Sequence, residues 1–278
     1  MGQSNDALAP SALLEVALDA ARAGAAVVAA AAPRAQTLVW HTKKRADFVS
    51  EVDLASEAAI IEVIQARAPG ASILAEERGA VAASVHAPTG AGAQDTIRFV
   101  VDPLDGTTNF LHGYPEYAVS IGVLDSAGLV AGVVIDVALG EVFTATRGGG
   151  AFSNGKQIRV ASVEDPERAL VGTGFPFTRA EQIEPYLTGL ARVMAGAAGV
   201  RRAGAAALDL ASVAAGRFEA FWEAALSPWD IAAGILLVRE AGGVATDLAG
   251  APCEVKHTGI VAGNPAIHQW LMDQVRGH

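Results

Sequence analysis

The chain has 278 residues, 51% apolar and 18% charged, with a formal net charge of −10 at pH 7. This is a globular composition, long enough for a substantial core, and its negative charge disfavours nonspecific binding to nucleic acid or anionic membranes, so an anionic substrate needs local cations. The single cysteine, Cys253, excludes an intrachain disulfide framework and a CxxC zinc site, and the cytoplasm is the expected compartment.

The run LLEVALDAARAGAAVVAAAAP is apolar enough to suggest a membrane span, but Glu15, Asp19 and Arg22 interrupt it, which predicts a core-facing helix ended by Pro33. DFVSEVD reads as a short strand or turn, and in KKRADFVSEVD the spacing of Lys43, Lys44, Asp47, Ser50 and Asp53 by itself says only exposed turn and helix cap. A helix from about Leu54 to Ala68 follows, stopped by Pro69 and Gly70. SILAEE is a strand ending on Glu76 and Glu77, and RGAVAASVHAPTGAGAQD, small, polar and rich in glycine and proline, is expected to be a mobile surface loop over 78 to 95.

From Ile97 to about Val160 strands predominate: IRFVVD, YAVSIGVLD, LVAGVVIDVAL, EVFTATRG and AFSNGKQIRV, with Asn154 and Gly155 as a hairpin turn. From Ala169 strands alternate with helices: ALVGTGF, a helix IEPYLTGLARVMAG, GVRRAG, a helix AALDLASVAAG, RFEAFWE, a helix WDIAAGILLVREAGG, and IVAGN before a last helix. Residues 1–160 thus read as an α+β half with an antiparallel sheet and 161–278 as an α/β half. With no repeat and no low-complexity linker between them, one continuous two-part domain over 1–278 is expected.

The stretch FVVDPLDGTTNF carries the chemistry. Asp102 ends a strand, Pro103 bends the chain, and Gly106 permits the turn into a helix near Thr107. Such a turn aims Asp102 and Asp105 into one space, with a backbone carbonyl such as that of Leu104 between them. Hard oxygen donors at that spacing suit Mg²⁺, and the amides of Gly106 and Thr107 at a helix start can hold a phosphate oxygen. Taken alone, DPLDG equally describes a capped β-turn, and Glu76 with Glu77 equally describes a solvated charged loop.

Asp230 in LSPWDIAAG fits a capping box with Ser227, Pro228 being the first helical residue, and a carboxylate there can be cap and ligand at once. Glu223 closes RFEAFWE, where a surface carboxylate suffices. His112 reads as an ordinary histidine, because a Mg²⁺ site built on aspartate and glutamate needs no imidazole.

Together these segments resemble the inositol monophosphatase family of Mg²⁺-dependent, lithium-sensitive phosphatases. VDPLDGTTNFLHGYPEYAVSIG and WDIAAGILLVREAGG correspond to its two signature segments, in the same order and at similar separation. DFVSEVD, AEE, TGFPF, RRAGAAALDLASVAAGRFEAFWE and the glycine-rich hairpin also agree, so the resemblance covers most of the chain.

The resemblance implies a layered αβαβα sandwich, a homodimer and two to three Mg²⁺ per subunit, with Li⁺ inhibiting at the second metal position. It assigns Glu76, Asp102 and the Leu104 carbonyl to the first ion and Asp102, Asp105 and Asp230 to the second, with Glu76 near a weaker third. Thr107, held by Asp53, is implied to act with Glu76 on the attacking water. Gly106 and Thr107 amides are implied to cradle the phosphate, while Asp105, the backbone of Gly204, Ala205 and Ala206, and Glu223 meet ring hydroxyls. Lys43 matches a lysine of the family's mobile metal-site loop.

Two cations suit the reaction, because hydrolysis of a phosphate monoester is extremely slow unaided and bound Mg²⁺ reverses the sign of an acidic site. Relatives of the fold act on histidinol phosphate, adenosine 3′,5′-bisphosphate or fructose 1,6-bisphosphate, and some bacterial members contact RNA polymerase or RNA as regulatory binding proteins. GTTNF follows the second aspartate where the histidinol phosphate and nucleotide branches tend to carry a charged or larger residue in place of the second threonine or asparagine, so the resemblance implies inositol 1-phosphate or a similar polyol phosphate. Ala205, where some relatives carry a hydroxyl, bears on the sugar rather than on the phosphatase chemistry.

Overall fold

The computed structural model describes residues 9–44, 47–81, 97–177 and 179–276. Helix α1 (Pro10–Ala31) opens on a proline, tolerated where no intrahelical amide bond is lost, and buries Leu13, Val16, Ala20 and Val28 along one side. Pro33 ends the α-helix, but the chain continues through it as a 3₁₀ turn, Ala32–Thr37. A hairpin of β1 (Trp40–Lys44) and β2 (Asp47–Ser50) leads into α2 (Glu51–Arg67). That helix starts at Glu51 rather than Leu54 because Ser50 and Asp53 cap it reciprocally, Val52 N–H donating to Ser50 Oγ at 3.2 Å and Ser50 N–H to Asp53 Oδ2 at 2.9 Å.

β3 (Ser72–Ala75) pairs antiparallel with β4 (Gly79–Val81), so the start of the expected surface loop is an edge strand. Residues 82–95 of that loop lie outside the described residues. β5 (Arg98–Asp105), α3 (Thr107–His112), β6 (Ala118–Asp125), β7 (Gly128–Asp136), β8 (Glu141–Thr146), β9 (Gly150–Ser153) and β10 (Lys156–Ile158) follow. The first sheet runs β10-β9-β8-β7-β6-β5-β3-β4, antiparallel throughout except for the parallel pair β3 and β5. Asn154 and Gly155, at φ of 47° and 75°, turn β9 into β10.

The second half contains β11 (Leu170–Thr173), α4 (Ile183–Gly196), β12 (Gly199–Arg201), α5 (Ala206–Ala214), β13 (Ala220–Leu226), α6 (Pro228–Glu240), β14 (Val244–Thr246), β15 (Thr258–Gly263) and α7 (Pro265–Arg276). Its sheet runs β12-β11-β13-β15-β14, with β11 parallel to both neighbours and β15 antiparallel to both of its own. The α4 bounds agree with the expectation. β1 and β14 were not expected: WHTKK carries a single apolar residue and reads as an exposed turn, and β14 has only three residues.

Strand alternation sorts the apolar side chains into three cores. Val119, Ile121 and Val123 of β6 with Val133 of β7 face Leu13, Val16, Ile60 and Ile64 of α1 and α2. On the opposite face Val134 and Phe143 meet Leu210, Ile235 and Leu237 of α5 and α6, which also cover Phe221 and Ile260 of the second sheet. Beyond that sheet Ala220, Trp222 and Val261 pack on Tyr186, Val193 and Leu271 of α4 and α7. The layers are therefore helix, sheet, helix, sheet, helix, the expected αβαβα sandwich.

The middle helical layer sits close. A Cβ on Gly122 of β6 would lie 2.5 Å from the Cβ of Ala232 and 3.0 Å from its carbonyl carbon, so α6 rests against bare backbone. Gly122→Ala is expected to destabilise by about 1–3 kcal/mol through overpacking, whereas Gly70→Ala, with nothing within 4 Å of the new methyl, stays within about 0.5 kcal/mol of the parent. Urea unfolding of the two variants against the parent checks this.

Candidate active site

β3 and β5 run parallel with Ala75 opposite Val101, so their carboxyl ends, and the acids that follow them, share one edge of the sheet. Glu76 N–H still donates to the Val101 carbonyl at 3.2 Å. The pairing of β5 with β6 shifts between Asp102 and Asp105, where β5 holds one residue more than its partner. This bulge bends the strand end. Ser56 Oγ of α2 donates to the Pro103 carbonyl at 2.8 Å, and Leu104 N–H donates to Asp102 Oδ1 at 3.1 Å. Gly106 follows at φ 85°, where any Cβ would meet the Glu116 carbonyl oxygen at 2.7 Å.

α3 begins at once. Thr107 Oγ1 lies 2.8 Å from Asp53 Oδ1 and 3.0 Å from the Leu104 carbonyl, so its one proton serves either acceptor. Asp53 thereby links the α2 cap to the α3 start. Asp105 Oδ2 accepts Ala207 N–H at 2.7 Å at the start of α5. Asp230, in the first turn of α6, accepts Ser227 N–H at 2.8 Å, the expected capping contact.

These residues surround a cleft of about 380 Å³ lined by Phe48, Glu76, Asp102, Leu104, Asp105, Gly106, Thr107, Arg202, Gly204 and Asp230, among others. It opens into a hollow of about 270 Å³ that adds Ala206, Glu223 and Trp229. Ala205 is fully buried and lines neither space; its methyl packs beneath Gly106. His112 lies apart from both, its Nδ1 2.8 Å from the Thr108 carbonyl.

The electrostatics are those of carboxylates withdrawn from water, with neighbouring like charges adding to the effect. Burial, then the charges of Glu76, Asp105 and Asp230, push Asp102 well above the usual carboxylate range. Burial raises Asp105 to about 7 against the amide bonds that favour its charged form. It likewise raises Glu76 to about 7, against the opposing pull of Lys43. Glu223 rises to about 8, first through burial and then through Asp230.

Lys43 Nζ lies 2.9 Å from Glu76 Oε1 and 2.5 Å from Glu77 Oε1. Burial acts to lower its pKa, but the two glutamates outweigh it and raise it. Among the described residues no three acidic, histidine or cysteine side chains already stand in coordinating geometry. Carboxylates and a carbonyl crowded at one cleft are nevertheless the donor set of a hard divalent cation, which would relieve their repulsion.

Residues 9–278 match the model of the inositol monophosphatase family. The chain belongs to that family. It is an enzyme of the phosphatase class, and the family is metal-dependent. The chain is 42% identical to the "Nus factor SuhB" of Pseudomonas aeruginosa, over 96% of each chain. It is also 42% identical to the "Inositol-1-monophosphatase" of Mesorhizobium japonicum, over 97% of this chain and 98% of the relative. The crystal structure of the extragenic suppressor protein suhB of Bartonella henselae matches with a TM-score of 0.88 at 40% identity, covering 96% of this chain and 99% of that one.

Sequence reasoning missed several residues of this cleft. Phe48 lines the cleft from the β1–β2 hairpin, and Arg202 lies over the rings of Phe175 and Phe177 at 5.5 and 5.0 Å. Gly174, present in the TGFPF match, leaves room for Glu223, whose Oε2 would stand 1.9 Å from an added Cβ. A paired arginine just ahead of a cleft glycine, GVRRAG, was the available signal for Arg202.

A carboxyl whose folded pKa lies above its unfolded value near 4 binds its proton more tightly in the folded state. Its stabilising contribution is full below that value and is lost as pH rises through the folded values of about 7 to 8. In EDTA, the thermal midpoint is expected to fall by several degrees between pH 5.5 and 8 and to recover at pH 8 with millimolar Mg²⁺. Calorimetry that finds the metal-free protein equally stable at pH 8 contradicts the burial of these carboxylates described here.

Proposed function

We propose that the chain hydrolyses the phosphate monoester of a small polyol, inositol 1-phosphate foremost, to the free polyol and phosphate. The observation that carries this reading is the convergence of Glu76, Asp102, Asp105 and Asp230 on one cleft beside Gly106 and Thr107. In this reading Glu76, Asp102, Asp105, Asp230 and the Leu104 carbonyl hold two to three Mg²⁺, and Li⁺ inhibits at the second position. Bound there, Mg²⁺ supplies positive charge for the phosphoryl oxygens and the leaving alkoxide and makes water acidic enough to attack.

The chain's own residues do the placing. Thr107, with its proton given to Asp53 Oδ1, turns hydroxyl lone pairs toward the cleft and orients the attacking water together with Glu76. The amides of Gly106 and Thr107 take the phosphate oxygens at the start of α3. Asp105, Asp230, Glu223 and the backbone at Gly204 accept polyol hydroxyls. Ala205 and Ala206 belong to the same segment, which the Ala207 amide ties to Asp105.

The hollow beyond the acids favours hydroxyls over a second phosphate. Its lining sets Glu76, Asp105, Glu223 and Asp230 against the guanidinium of Arg202. A polyol monophosphate therefore fits better than adenosine 3′,5′-bisphosphate or fructose 1,6-bisphosphate, and the Mesorhizobium relative's name points the same way. The reading carries a cytoplasmic homodimer, for which exposed Ile183, Leu187 and Met194 along α4 offer an apolar face.

Phosphate release from inositol 1-phosphate is expected to require Mg²⁺, to fall with Li⁺, and to drop by more than about a hundredfold in Asp102→Asn. Unchanged turnover in that variant, or preference by orders of magnitude for histidinol phosphate on a substrate panel, rejects the assignment.

The name of the Pseudomonas relative supports a second, compatible reading, association with the transcription machinery. The net charge of −10 favours a protein partner over RNA itself. Immobilised Asp102→Asn protein that retains RNA polymerase at physiological salt establishes a role separate from catalysis; no retention rejects it.

A further inference from the structure

One face of α2 is polar where a helix packed on α1 has no need to be. Ile60, Ile61 and Ile64 already supply its apolar contacts, yet Asp53, Ser56 and Glu57 are all buried on the neighbouring stripe. At spacings of three and four residues these side chains share one side of the helix. Each reaches a different segment of the site. Asp53 receives the Thr107 hydroxyl, and Ser56 donates to the Pro103 carbonyl. Glu57 Oε2 accepts Glu77 N–H at 2.8 Å and Arg78 N–H at 3.4 Å, and its Oε1 lies 3.3 Å from Arg78 Nε.

We propose that Glu57 is a positioning residue, which holds the turn between β3 and β4 so that Glu76 faces the acid cleft. The turn spans Glu76 to Arg78, between the paired residues Ala75 and Gly79. Strand pairing fixes its two ends, and Glu57 fixes its middle from below through backbone amides. With those amides drawn inward to α2, the Glu76 and Glu77 side chains are left on the opposite side, where Lys43 bridges them. A carboxylate buried at 0% exposure is costly unless amides and a cation offset it; two amides bond Glu57 Oε2, and the Arg78 guanidinium lies within ion-pair distance of Oε1, which makes no hydrogen bond among the described residues. Glu57 touches neither cleft nor substrate; it acts through Glu76.

The inference rests on the reading of Glu76 as a metal ligand, and its test separates the two. Mn²⁺ binding, followed by the loss of the free-ion signal in electron paramagnetic resonance, is measured for the parent, Glu57→Ala, Glu57→Gln and Ile64→Val. Thermal midpoints of all four are recorded to show that each is folded. Ile64→Val removes a buried methyl from the same helix and reports destabilisation alone.

Glu57→Ala is expected to weaken Mn²⁺ binding at least tenfold, the scale of outer ligand partners. At saturating metal its KM for inositol 1-phosphate stays within about twofold of the parent while kcat falls. Glu57→Gln, whose amide oxygen still accepts the two turn amides, recovers most of the affinity. Ile64→Val binds Mn²⁺ as the parent does. Folded Glu57→Ala that binds Mn²⁺ within about twofold of the parent overturns the inference, as does an equal loss in Ile64→Val. A parent that binds no Mn²⁺ overturns the metal reading itself and this inference with it.

Discussion

The burial of several carboxylates around one cleft is the constraint on which the rest of the architecture depends. Glu76, Asp102, Asp105 and Glu223 are each shifted toward the protonated form, in every case first by burial. Behind them Asp209 is buried with neither oxygen hydrogen-bonded among the described residues, and its pKa too is raised by burial and by the Glu223, Glu116 and Asp105 charges. The fold offsets this with helix starts. α3, α5 and α6 begin at the cleft, and α2 begins beside the α3 start, where the partial positive charge of unpaired amides favours anions. Asp53 caps α2, Asp230 caps α6, and Asp105 accepts from the Ala207 amide of α5.

Bringing α5 and α6 to the same cleft as the ends of β3 and β5 requires a thin middle layer. The helices there carry alanine at Ala206, Ala207, Ala211, Ala232 and Ala233, and the first sheet answers with Gly122 and Gly132. The abundance of alanine and glycine, which looks in the composition like an inflated apolar share, is therefore tied to placing the acids. Larger residues in that layer would move the α6 start, and with it Asp230, away from Asp102.

Much of this was legible in the chain. The strand, bend and glycine of FVVDPLDG fixed the local turn, and the capping pattern of LSPWD marked the α6 start, because both depend on residues near in sequence. What was not legible depends on distant pairing. The parallel pairing of β3 with β5 places Glu76 beside Asp102, and no pattern within either strand announces its neighbour. The contact of Thr107 with Asp53 spans 54 positions and entered only through the family resemblance. Glu57 lay inside a helix as one more charged residue, since burial of its carboxylate is a property of the packed sandwich. β4 and β14 were missed because strands of three residues carry no periodicity.

At these positions the capping and functional readings coincide for a chemical reason. A carboxylate has two oxygens and about four acceptor sites, so a bond to a backbone amide does not exhaust it. Asp53 shows the division: Oδ2 takes the Ser50 amide and hydroxyl, and Oδ1 takes the Thr107 hydroxyl. Asp102, Asp105 and Asp230 each commit one oxygen to a backbone N–H of their own or a neighbouring turn. The scaffold contact fixes the rotamer, and the rotamer fixes where the remaining acceptor capacity points. Asparagine at such a position keeps the carbonyl that accepts the amide but loses the charge. Anchoring and charge are thus separable properties of one side chain, and the site needs aspartate because it uses both.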